Sequence, residues 1–304
     1  MPPRPCSRTG IAAMADTSTA SARDPLQEPA WVRWTLIGLA TAIMLLIVVM
    51  PLLMLLSAAF GSGLKVWFAA VTEPHTIDAL KLTLLTAAIV VPVNAICGVF
   101  TAWAVTRFEF RGKRTLMALI DLPFAVSPVV AGLCLVLLFS PTHGYFADLL
   151  NHYDIKILFA TPGIVLATMF VTFPFVVREL IPLMEQQGSD EELAARSLGA
   201  NAWTMFFRVT LPNIKWGLLY GVLLCSARAM GEFGAVTVVS GNVMGQTNTL
   251  SLHVEVLYKQ MGGEAAAAFA VASLLAGLAL VTLVVKIWLE ARHGDALARS
   301  HRRH

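Results

Sequence analysis

The chain has 304 residues, 57% of them hydrophobic and only 13% charged, with a mean hydropathy of +0.71. Soluble domains carry roughly 25% charged residues, so this composition excludes an ordinary soluble domain and points to an integral membrane protein. A formal charge of +3, spread over the ends of apolar runs, gives no basis for a nucleic-acid partner and reads as membrane topology.

Residues 1–31 are rich in Ser, Thr, Ala, Pro and Arg, cannot bury a core, and are expected to form a disordered cytoplasmic tail, with Met14 as an alternative start. The apolar run that follows is too long for a signal-peptide core and is retained as a span. A bilayer core of roughly 30 Å takes about 20 apolar residues per helix. On that measure six spans are predicted, at about 32–60, 77–106, 116–140, 161–182, 212–240 and 265–289, within one all-α membrane domain, 32–290. Every backbone group in lipid must be satisfied within the segment, so the spans are helices.

Basic residues set the orientation. Arg107, Arg111, Lys113 and Arg114 follow the second span, and Arg178, Arg196, Arg208 and Lys215 surround the fourth loop. Arg292, Arg299, Arg302 and Arg303 lie in or beside a basic tail, 291–304. The positive-inside rule makes these segments and both termini cytoplasmic. The opposite loops, 61–76, 141–160 and 241–264, should face outward, with His143, His253 and the polar run Gly245-Gln246-Thr247-Asn248-Thr249 solvated. Asp121 is expected to pair with Arg114. Cys6, Cys97, Cys134 and Cys225 lack metal or disulfide spacing. Neither an internal repeat nor a pair of broken helices is evident.

The loop 186–211 has a grammar of its own. Ser189 followed by Glu192 reads as a capping box, with Asp190, Glu191 and Glu192 in the first turn where the helix dipole favours acids. Leu193, Ala194 and Ala195 continue the helix, and Gly199 suits the positive φ that ends it. Asn201 then caps a second short helix, and Leu211-Pro212 opens the fifth span. The pattern alone leaves two readings open, a docking knob for another protein or an amphipathic linker lying in the headgroups.

The run Ala194-Ala195-Arg196-Ser197-Leu198-Gly199, nine residues, then Val209-Thr210-Leu211-Pro212 resembles the EAA loop of ABC-importer permeases. Leu193 stands where that family prefers Glu, with Glu191 and Glu192 immediately upstream. Residues 211–221, 227–236 and Asp121 to Pro128 resemble permeases of sulfate/thiosulfate and molybdate importers, and Gly245 to Leu250 is similar to the W-type sulfate permeases. The resemblance covers about 32–290. It implies a type I importer fold with six transmembrane helices in a bacterial inner membrane, and an ATPase docked on Glu191, Glu192, Leu193, Ala194, Ala195, Gly199, Leu211 and Pro212. The partners it implies are a homologous T-type permease subunit, two ATPase subunits and a periplasmic sulfate/thiosulfate-binding protein, alongside the lipid bilayer. A molybdate or tungstate importer of the same architecture is the alternative.

Arg228 and Glu232 lie four residues apart inside the fifth span, a costly place for charge. Two readings stand open, an anion contact by the Arg228 guanidinium or a self-neutralising pair that orders helices. No GxxxxGK[ST] run is present, so the chain is not expected to bind ATP or Mg²⁺ itself, and no clustered nucleophile, base or metal set suggests an enzyme. A secondary anion transporter is the rival of another class.

Overall fold

The computed structural model describes residues 30–260 and 265–301. Positions 1–29 of the predicted tail, including Cys6, together with 261–264 and Arg302 and Arg303, lie outside them. Two compact units divide the chain, Met1–Leu53 and Met54–His304. The first holds α1 (Ala30–Met44) and a π-helical turn, Leu45–Val49, and α2 (Met50–Gly61) begins in it.

The second unit continues with α3 (Leu64–Val71), α4 (Pro74–Arg107), α5 (Lys113–Ala125), α6 (Pro128–Phe139) and α7 (Ala147–His152). Next come α8 (Thr161–Gln187), α9 (Asp190–Ser197), α10 (Ala202–Met205) and a second π-helical turn, Phe206–Thr210. The last elements are α11 (Leu211–Met230), α12 (Gly234–Val239), α13 (Leu250–Gln260) and α14 (Ala266–His301). No strand occurs among the described residues. Helix α14 carries the chain through the start of the predicted basic tail. Each π-helical turn ends two residues before a proline, Pro51 or Pro212. Proline has no N–H and its ring crowds the carbonyl four residues back, so the ladder opens at that point.

Not all six predicted spans are single straight helices. Among the described residues four helices are long and apolar enough to cross a membrane: Trp31–Gly61, Pro74–Arg107, Thr161–Gln187 and Ala266–Leu289. A fifth results if α5 and α6 form one span, but they meet at 112°. Pro128 explains that break, because it starts α6 readily while pushing the preceding Ser127 out of the helical region, to ψ 136°. The predicted span 212–240 is broken too, into α11 and the short α12. Gly231 and Gly234 flank this break, and glycine weakens a helix by about 1 kcal/mol relative to alanine. Both predicted spans are thus interrupted, one at Ser127 and the other between Met230 and Gly234.

Helix α8 is the centre of the bundle. Val176, Val177, Leu180 and Met184 on it are fully buried against Val90, Ala102 and Val105 of α4 and Ile214 of α11. Glycines bring the flanking helices close: a Cβ at Gly98 would stand 2.7 Å from the Val176 side chain, and one at Gly221 would stand 3.2 Å from its Cα. The Gly217–Gly221 pair thus serves packing onto α8. Helix α12 nests between α6 and α8, with Ala235 and Val239 buried against Val136, Phe139, Ala167 and Val171.

Part of the loop predicted as solvated packs into the bundle, while Gly245 and Gln246 at the start of its polar run are exposed. Thr247, Asn248, Thr249 and His253 are buried, and α13 occupies much of the expected loop. Thr83 Oγ1 accepts the Leu250 N–H at 2.8 Å, and Ser251 Oγ donates to the Glu232 carbonyl at 2.7 Å. Buried polar side chains here satisfy backbone groups that lipid or core would leave unpaired. His143 is exposed as expected.

Candidate functional site

The 186–211 segment is built from its first turn. Ser189 makes no side-chain cap, contrary to the predicted capping box: its ψ of 3° lies outside the extended region that an N-cap adopts, and Glu192, which would have reached back to the Ser189 N–H, turns inward. Glu192 Oε1 accepts from Thr210 Oγ1 at 2.6 Å, and Oε2 forms an ion pair with Arg107 Nε at 2.7 Å. Arg107, in the last turn of α4, also donates from a terminal nitrogen to the Met184 carbonyl at 3.3 Å. One carboxylate thereby ties α9 to α4, and through Arg107 to α8. Both partners of the pair are largely buried, where an ion pair holds only with such further hydrogen bonds.

Glu191 accepts from the Asn213 side chain, and Gln187 donates to the Asn213 carbonyl at 3.1 Å. Leu198 closes α9, and Gly199 follows at φ +86°, a left-handed conformation that glycine adopts without strain. Asn201 Oδ1 accepts the Thr204 N–H at 2.7 Å, the predicted cap. Beyond it the chain does not form a separate short helix. Helix α10 runs through the π-helical turn into α11, with Thr210 itself helical at φ −62° and ψ −54°. Phe206 anchors this stretch against α4, its ring 5.2 Å from Trp103 and 5.7 Å from Phe100.

These anchors leave a defined outer surface. Leu193 is 59% exposed, Leu198 88%, Trp203 64% and Phe207 56%, and Trp203 stacks on Phe207. Ala194 and Gly199 are exposed beside them, and Ala195 is half-buried. Single exposed apolar residues are ordinary, but a cluster on a fixed helix–turn–helix marks an interaction surface. Glu192 does not supply an outward acid in place of Leu193, since its carboxylate is committed to Thr210 and Arg107.

Arg228 and Glu232 occupy the break rather than the interior of a span. Arg228 lies in the last turn of α11 and Glu232 in the gap before α12. Their ion pair measures 2.7 Å, with the Glu232 side chain buried and that of Arg228 34% exposed. The contact is Coulombic rather than a well-aligned hydrogen bond. Glu232 Oε1 accepts the Ala235 N–H at 3.0 Å, so the carboxylate caps α12 as well as facing Arg228. Asp121 pairs with Arg178 across α5 and α8, Nε to Oδ1 at 2.8 Å, and not with the predicted Arg114. Asp121 sits two turns into α5, beyond reach of the residues at its start. No cluster of three or more His, Cys, Asp or Glu suited to a metal occurs among the described residues.

A helical bundle with broken helices and an anchored helix–turn–helix between α8 and α11 is the framework of a membrane transporter subunit. The chain belongs to the family described as binding-protein-dependent transport system inner membrane component, which it matches over residues 94–293. Among individual proteins, it is 50% identical over 280 residues to "Sulfate permease 2, chloroplastic" of Chlamydomonas reinhardtii, covering 91% of this chain and 74% of that one. It is 48% identical over 263 residues to "Sulfate transport system permease protein CysW" of Synechocystis sp., with 86% and 94% coverage. Similarity to the corresponding CysT protein of Escherichia coli is 37% over 245 residues, with 81% and 88% coverage. The fold matches a chain of a bacterial alginate ABC transporter, solved with a periplasmic protein bound to an alginate pentasaccharide. That match has TM-score 0.73 at 18% identity and covers 86% of this chain and 94% of that one. The protein is an all-α permease with the type I ABC importer fold.

Proposed function

We propose that this chain is the W-type membrane subunit of an importer that carries sulfate or thiosulfate across the inner membrane. Its higher identity to the CysW relative than to the CysT relative favours that position, with a T-type subunit as its partner. A periplasmic binding protein delivers the anion, and two ATPase subunits use ATP and Mg²⁺. The chain itself holds neither nucleotide nor metal. Both termini and the 186–211 loop face the cytoplasm, as the distribution of Lys and Arg requires.

The observation that carries the mechanism is the anchoring of the loop. Glu192, Arg107 and Phe206 fix α9 and α10 to α4, while Leu193, Ala194, Leu198, Trp203 and Phe207 face outward. Motion of a docked ATPase therefore passes to α4, to α8 through Arg107, and directly into α11 through Leu211 and Pro212, turning the bundle as a lever. Linkage makes the effect reciprocal, so a loaded binding protein outside favours ATPase closure inside. Arg228 is placed to meet a passing oxyanion, with Glu232 holding the guanidinium and moderating its charge.

The test is uptake of labelled sulfate by vesicles containing the chain with its copurified partners, with molybdate as competitor and Gly199→Pro as control. ATP-dependent uptake that resists molybdate and is lost in the variant is expected. Uptake without ATP would support the secondary-transporter rival, and displacement by molybdate would favour the molybdate or tungstate alternative.

A further inference from the structure

The Arg178–Asp121 pair is in an unusual position for two charges. Helix α8 spans Thr161–Gln187 with its midpoint at Pro174, so Arg178 lies about 6 Å from the helix centre at 1.5 Å per residue. That is inside the half-thickness of about 15 Å of a bilayer's hydrocarbon core, so Arg178, read from the sequence as one of the cytoplasmic bases around the fourth loop, lies within the span instead. The pair is nevertheless not sequestered: the side chains of Arg178 and Asp121 are 54% and 48% exposed. Charges at this depth do not face lipid tails, so the surface bearing them borders water or another protein.

The local geometry favours a ligand. Arg178 uses Nε for Asp121, which leaves the fork of terminal amino groups for a second acceptor. The guanidinium also stands 4.6 Å over the Phe124 ring, which packs edge-on against Phe175. The donors are thus oriented before any anion arrives. Beside them is a cavity of about 300 Å³ lined by Met117, Ile120, Ile181 and Pro182 together with the two charged residues, with room for a tetrahedral oxyanion.

We propose that Arg178 is a second anion station on the translocation route, with Asp121 as the counter-charge that keeps it weak. This rests on the oxyanion-importer reading above. Helices α8 and α11 run antiparallel with Gly221 level with Val176. Arg228 and Arg178 are therefore separated by about 13 Å along the bundle axis, two arginine–acid pairs at different depths. An unpaired arginine at such a depth would trap a divalent oxyanion. Asp121 offsets part of that attraction, so the anion binds and leaves, as conduction requires.

The experiment uses the assembled complex in proteoliposomes and compares wild type with an Asp121→Leu, Arg178→Leu double variant and with Asp121→Asn. The double variant removes both charges together and leaves no lone charge in the bundle. It is expected to copurify with its partners while its sulfate turnover falls by about tenfold or more, the scale of a lost charge-assisted contact. Asp121→Asn is expected to lower the KM for sulfate release-limited transport and slow its turnover, a split that a purely structural ion pair would not produce. Wild-type turnover in the double variant, its failure to copurify, or an unchanged KM in Asp121→Asn would each overturn the station. Absence of sulfate uptake by the wild-type complex would instead withdraw the substrate assignment, and the station with it.

Discussion

His253 is a residue whose setting the sequence conceals. Its Nε2 lies 3.1 Å from Thr76 Oγ1 and its Nδ1 3.3 Å from the Asn248 amide nitrogen, so a neutral ring with the proton on Nε2 satisfies both contacts. Burial pushes the imidazole below its ordinary value of 6.5, Glu73 pulls it up in part, and His75 adds to the depression. The sign of the linkage follows: above about pH 6.5 the ring is neutral folded or unfolded, and below it the unfolded chain takes up the proton first. Stability is therefore lost as the pH falls. The unfolding midpoint in detergent should drop between about pH 8 and about pH 5, and the drop should shrink in His253→Gln. An identical acid profile in the variant would assign the effect to other groups. Nothing in the local sequence marks this histidine as buried, because its partner Thr76 is 177 positions away. The same holds for Glu192. Three acids share the first turn of α9, and only the position of Arg107 and Thr210 decides which of them turns inward.

Among the helices, punctuation was legible and consequence was not. Pro128, Gly231 and Gly234 are visible as breakers, but a bent pair in an apolar run has the same composition as one straight span. The 112° turn between α5 and α6 depends on what receives α6, namely α12 and α8. Gly132 is the point of close approach between α6 and α12: a Cβ there would come within 2.8 Å of the Ala235 carbonyl oxygen and 2.9 Å of Val238 Cβ. Backbone cannot move aside cheaply, so Gly132→Val is expected to destabilise the protein by ~1–3 kcal/mol. Detergent unfolding would show it as a lower midpoint. Gly38→Val, where a Cβ meets nothing within 4 Å, should leave the midpoint in place. Equal midpoints for the two variants would show that α6 and α12 do not need their close approach.

For the molecule as a whole, orientation is the next quantity to measure. With Cys6, Cys97, Cys134 and Cys225 replaced, a cysteine at Ser197 should react with an impermeant maleimide only from the cytoplasmic face, and one at His143 only from the periplasmic face. Both positions are exposed. Labelling with the opposite sidedness would invert the proposed topology and remove the ATPase from the 186–211 loop.

The sequence by itself determined the class of protein, because apolar content and hydrophobic run length are summed quantities that survive without three-dimensional context. It also determined the Gly199 turn and the Asn201 cap, since a positive φ and an N-cap are local demands on single residues. Three-dimensional packing alone settled that Glu192 bonds inward, that Asp121 meets Arg178 rather than Arg114, and that residues 247–250 are buried. These outcomes depend on contacts between helices far apart in the chain. A charge or polar group in an apolar bundle takes whichever distant partner the packing brings within reach, and that choice leaves no local trace in the sequence.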